Sequence, residues 1–164
     1  MAPHAPRADG DADAVLDEVC IDLPPDLTAP RAARVEVRRV LARWHLASLA
    51  ESVTLAVSEL VGNALVHGRP PVHLVLSRGS RHLRAGVHDH APGRPVAGLA
   101  PSEAESGRGL AIIHAVADDS GVEEVPGDGK IVYATFTTDR TAAGGEAPVV
   151  PLRIVRPAPD RAVD

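Results

Sequence analysis

SELVGNALVHG, residues 58–68, reads as the last turns of a buried amphipathic helix that carries one polar stripe. Upstream Val53 and Val57, with Leu60, Val61 and Ala64, recur at helical spacing and form a core face. Glu59, Asn63 and His67 follow one another in steps of four. Each step advances about 40° around a helix, so the three share a stripe beside that face. A carboxylate and a carboxamide at the margin of a core are costly unless they have partners or a task. Such positions line the edge of a pocket.

Working outward, the helix is expected to start near Ser48, where Ser48 and Glu51 fit a capping box, and to end at Gly68 as its C-terminal cap. Before it, Thr28 and Pro30 open another helix with Ala33, Val37, Val40, Leu41 and Trp44 on its apolar side. Its other side carries Arg31, Arg34, Arg38 and Arg39, either a solvated face or a docking face for an acidic partner. Glu18–Leu23 alternates as a half-buried strand does, and Pro24 and Pro25 end it. Residues 1–17 are rich in Ala, Asp and Pro without periodicity and read as a flexible tail.

Downstream, Val72–Ser77 and His82–Asp89 form a hairpin across a turn containing Gly79. Residues 90–106 are a long segment of Pro, Gly, Ala and Ser, of the length that functional loops and lids reach. Gly107-Arg108-Gly109 is expected to open an apolar helix running to about Ala117. Gly121–Val125 and Lys130–Thr137 make a second hairpin around Gly127-Asp128-Gly129. Residues 139–164 lack a core pattern and read as a second flexible tail, although 149–155 could pair locally. The order β-α-α-β-β-loop-α-β-β predicts an α+β two-layer sandwich: a mixed, mostly antiparallel sheet with helices on one face, spanning 18–138.

The 164 residues suit one domain, and 45 % apolar residues suffice for one core. With Trp44, Tyr133 and Phe136 as the only aromatics, aliphatic residues must fill it. A formal net charge of -5 disfavours nucleic acid as the main partner. Cys20 stands alone and cannot form an internal disulfide. No signal peptide and no uninterrupted apolar run of membrane-spanning length appears. The expectation is a cytoplasmic protein with no membrane partner.

Four features carry chemistry. Asn63 offers a neutral oxygen to a hard cation such as Mg²⁺, and Glu59 a base or water-positioning carboxylate; the plain alternative is a polar helix edge. Asp89 ends a strand. Its carboxylate accepts hydrogen bonds only, so it suits adenine's exocyclic amine and rejects guanine's carbonyl; the alternative is an ordinary turn Asp. Glycines 107 and 109 at a helix start would expose amides to phosphate, with Arg108 adding charge-assisted bonds. The 90–106 loop would close over a nucleotide as a lid.

Taken in order, E-x-x-x-N-A-x-x-H at 59–67, Asp89, the loop, G-R-G-L at 107–110 and G-K-x-V-Y at 129–133 resemble the GHKL ATPase superfamily. Within it, the chain is similar to the stand-alone anti-sigma factor serine/threonine kinases, over roughly residues 20–137. The resemblance implies a Bergerat-type fold binding ATP and Mg²⁺. It implies Glu59 as catalytic carboxylate, Asn63 as Mg²⁺ ligand and Asp89 at adenine. Gly93, Gly107, Arg108 and Gly109 would lie around the nucleotide. The implied partners are a sigma factor and a small antagonist protein, and relatives often form homodimers. Two positions depart from the pattern. Ala91 replaces a glycine in Asp89-His90-Ala91-Pro92-Gly93, and Ile131 stands where a threonine is usual, removing a hydroxyl from the expected adenine pocket. These departures support the alternative of a non-catalytic, partner-sequestering module. A two-component histidine kinase fits poorly, because the residues before the first strand are too few for a dimerising helical hairpin.

Overall fold

In the computed structural model, residues 14–92, 103–138 and 153–155 are described, those at 103–108 and 153–155 by backbone alone. Strand alternation sets the architecture. Val72, Leu74 and Leu76 on β2 (Val72–Arg78) and Leu83, Ala85 and Val87 on β3 (His82–Asp89) point to one side. Each is at most 2 % exposed. The two strands pair antiparallel, Leu74 opposite Val87 and Leu76 opposite Ala85. β1 (Asp17–Leu23) adds to β2, β5 (Lys130–Thr137) to β3 and β4 (Asp119–Glu124) to β5, all antiparallel.

A short β6 (Arg153–Val155) lies parallel to β1 and completes the order β4-β5-β3-β2-β1-β6. The region read as a flexible C-terminal tail therefore contributes an edge strand. The fold is the expected α+β sandwich with a mixed, mostly antiparallel sheet.

Among the described residues three α-helices cover the inner face: α1 (Ala29–Arg43), α2 (Ala50–His67) and α3 (Glu103–Val116). α2 is central, between α1 and α3 and over β3. Its Val53, Ala56, Val57, Leu60, Val61 and Ala64 are buried. Each fully buried Val or Leu stabilises the fold by roughly 1.5–3 kcal/mol over its exposed form. By length and composition Ala47–His67 is apolar enough to cross a membrane, a test that a buried core helix also passes. Its apolar face is instead spent on this core.

The helix ends differ from the sequence expectation. Thr28 precedes α1 without a side-chain cap. Its amide and hydroxyl donate to Asp26 Oδ1, at 2.8 and 2.5 Å, so the turn is held one step earlier. Ser48 lies in a 3-10 turn, Ala47–Leu49, and α2 begins beyond it without a capping box. Gly68 ends α2 in an extended conformation rather than a left-handed one.

The outer face is polar. One rung runs Asp22, His73, His88, Ile131 and Glu123 across five strands. Arg84 pairs with Glu123 at 2.6 Å and stacks 3.9 Å from the Tyr133 ring centre. Glu18 and Cys20 lie half-buried on β1. Burial pushes both up from their ordinary pKa values; Arg84 opposes the shift at Glu18, and Asp22 and Glu18 reinforce it at Cys20.

Candidate functional site

The polar stripe of α2 meets α3. Gly109 is buried in α3, and a Cβ there would lie 3.0 Å from Glu59 Oε2 and 3.8–3.9 Å from both terminal atoms of Asn63. The helices approach closely because position 109 has no side chain. Glu59 and Asn63, both half-buried, thus share one face opposite Gly109. His67 is exposed in the last turn of α2, where a cationic form would complement the helix dipole.

The same C-terminal end of α2 holds Asp89, whose residue is 1 % exposed. A Cβ on Gly68 would fall 2.5 Å from the Ala64 carbonyl and 2.7 Å from Asp89 Cγ, so only glycine lets the helix end pack onto this carboxylate. The Arg69 amide donates to Asp89 Oδ1 at 3.4 Å and the His90 amide donates to the Arg69 carbonyl at 2.9 Å. The Ala91 amide donates to the same Oδ1 at 2.8 Å, closing a turn on the Asp side chain. Ala91 therefore supplies a backbone donor as glycine would.

Lys130 provides the fourth wall. Its Nζ is 3.0 Å from Asp89 Oδ1, and the two side chains are 9 % and 2 % exposed. Among the described residues, the three hydrogen bonds to the Asp89 side chain all fall on Oδ1, which leaves Oδ2 as the oxygen to meet an exocyclic amine donor. Gly129, at φ +84°, packs so tightly that a Cβ would come within 2.6 Å of His90 Cα.

Ile131 is not part of this wall. Register pairs Asp89 with Lys130 and His88 with Ile131. Successive residues of a strand face opposite sides, so Ile131 lies on the outer face. The residue that meets Asp89 from β5 is a cation, and the expected loss of a hydroxyl at 131 does not touch the carboxylate.

Gly107, Arg108 and Gly109 do not open α3, which begins at Glu103. The amides a helix leaves free are those of its first four residues, ahead of the glycines. Gly109 serves close approach instead. Gly93, residues 93–102 of the expected lid and the Arg108 side chain lie outside the described residues.

Lys130, Gly68 and Gly129 are site residues that reading by motif missed. Counting strand register back from Phe136 in steps of two would have pointed Lys130 inward. The residue types fit a nucleotide: a buried carboxylate at Asp89, and a carboxylate and a carboxamide on one stripe of α2. A family model described as the histidine kinase-like ATPase domain matches residues 23–136. No curated protein matches the chain.

Proposed function

The chain belongs to the histidine kinase-like ATPase domain family, and from that premise we propose that it is an ATP-dependent serine/threonine protein kinase of the anti-sigma factor type. In this reading it holds a sigma factor inactive and phosphorylates a small antagonist protein in the cytoplasm. The supporting observation is that Glu59 and Asn63 share the stripe of α2 that faces Gly109, while the C-terminal end of the same helix packs onto Asp89.

Asp89 accepts the adenine amine through Oδ2. Asn63 would hold Mg²⁺, which when bound supplies charge neutralisation on the phosphates. Glu59 takes the proton of the acceptor serine as its oxygen bonds to the γ-phosphorus. The bond to the β–γ bridging oxygen breaks and ADP leaves. Arg108 donates to the phosphoryl oxygens as charge builds there. The test is transfer of labelled γ-phosphate to a candidate antagonist, wild type against Glu59→Ala. Equal labelling by both would remove Glu59 from the reaction.

The Lys130–Asp89 ion pair favours a second reading, a module that binds ATP weakly and acts by sequestering its partner. A nucleotide must then share a carboxylate already engaged by a buried cation. Binding without any Mg²⁺-dependent phosphorylation of the partner supports this reading over the first.

A further inference from the structure

We propose that His73, His88 and His90 form a binding site for a divalent transition metal ion of the zinc type on the outer face of the sheet, separate from the nucleotide pocket. One ring nitrogen from each of the three lies within 4.8 Å of the others. His73 and His88 are direct neighbours across β2 and β3, and His90 follows β3 one residue past the inward-facing Asp89. Ring centres are 5.7 Å apart for His73–His88 and His73–His90, and 4.7 Å for His88–His90.

Hydrogen bonding fixes which nitrogens are available. His73 Nδ1 is 2.6 Å from Asp22 Oδ1, and His90 Nδ1 is 2.7 Å from Asp128 Oδ1. His88 Nε2 is 2.6 Å from the Asp128 carbonyl oxygen. Carboxylate and carbonyl oxygens only accept, so in each neutral ring the bonded nitrogen carries the proton. The lone pairs left over are His73 Nε2, His88 Nδ1 and His90 Nε2. His90 Nε2 is buried without any hydrogen-bond partner. A buried polar atom left unmet is uncommon and is met by a water or an ion.

This is the arrangement metal sites use. Ligating histidines give their second nitrogen to a carboxylate or carbonyl, which sets the tautomer and the ring orientation. Three imidazoles plus a water suit four-coordinate Zn²⁺ at about 2.0–2.1 Å per nitrogen. That geometry needs nitrogens roughly 3.3–3.5 Å apart, inside the 4.8 Å within which one nitrogen of each ring already lies, so the rings draw together on binding. Mg²⁺ prefers oxygen ligands and does not compete for an all-imidazole set. The site joins β1, β2, β3 and the β4–β5 turn through Asp22 and Asp128.

The test is Zn²⁺ titration of the full chain against a chromophoric chelator, with Co²⁺ as a spectroscopic stand-in. One Zn²⁺ per chain is expected, with intense visible bands of four-coordinate Co²⁺ that Zn²⁺ removes and millimolar Mg²⁺ does not. His73→Ala, His88→Ala and His90→Ala should each weaken binding at least 100-fold. Asp22→Asn and Asp128→Asn, which keep all three ligands, should weaken it about 10–100-fold. Circular dichroism of each variant shows that the fold persists. Absence of stoichiometric Zn²⁺ uptake by the wild type at 100 μM, or unchanged affinity in a folded triple variant, overturns the site.

Discussion

Lys130 Nζ and Asp89 Oδ1 lie 3.0 Å apart in a nearly dry corner between β3, β5 and the end of α2. Two charges out of water are tolerable only as a pair, and either one alone would be stranded. Lys130→Met should therefore lower unfolding stability by about 3 kcal/mol, read as a reduced urea midpoint. Asp89→Asn/Lys130→Met should lose less than the sum of the single variants, by about 1–3 kcal/mol of coupling. Additive losses would mean that the pair does not interact.

Asp89→Ala should abolish ATP binding measurable at millimolar nucleotide, since the acceptor for the adenine amine is gone. Wild type should prefer ATP to GTP, because a carboxylate oxygen repels a carbonyl in the amine's place. Calorimetric titration of both nucleotides, with and without Mg²⁺, reads this directly. Equal affinities for ATP and GTP would place the base elsewhere.

Glycines 68 and 109 should respond oppositely to alanine. At 109 the nearest obstacle to a Cβ is the far end of Glu59, 3.0 Å away, which can swing aside. Helix propensity favours alanine there by up to about 1 kcal/mol, so Gly109→Ala keeps or raises stability. Displacing Glu59 by about an ångström should still slow phosphotransfer roughly 100-fold. At 68 the obstacles include the Ala64 carbonyl at 2.5 Å, which is backbone and cannot step aside. Gly68→Ala should cost about 1–3 kcal/mol and lower the melting temperature.

Glu18 supplies a pH test remote from the site. Burial holds its folded pKa above the ordinary carboxylate value of 4.5, with Arg84 opposing the shift. The folded state thus keeps the proton more readily than the unfolded chain. Its contribution is fully present below the unfolded value and is lost as pH rises through the folded one. At neutral pH the ionised side chain is a burden, so Glu18→Gln should be more stable than wild type there. The advantage should vanish in thermal melts at about pH 3–4, near and below the unfolded carboxylate value.

Much of this was legible in the sequence because it is periodic. His82–Asp89 and Lys130–Thr137 have the bounds that alternation predicts, and Glu59 and Asn63 share a stripe because four residues nearly close a turn. The misses concern offsets of one residue and choices between equivalent local solutions. A single step along β5 decides whether Lys130 or Ile131 meets Asp89, and composition alone does not fix register. Glycines 107 and 109 satisfy a helix start and a close helix crossing equally well. The structure chooses the crossing, since Glu103–Ser106 extends the helix ahead of them. The partner of β1 at Arg153–Val155 is a three-residue strand, too short for alternation to announce.

The β6–β1 ladder sets Val19 beside Arg153 and Ile21 beside Val155, joining the most widely separated paired segments among the described residues. Closing so long a loop costs more entropy than any other pairing in the sheet. We expect this edge to zip last, after the hairpins and helices have condensed. Until it does, β1 offers an open row of amides and carbonyls to any strand nearby, including one from another molecule. Refolding yield should then fall with protein concentration. A chain ending after Thr138 should aggregate more readily than the full one.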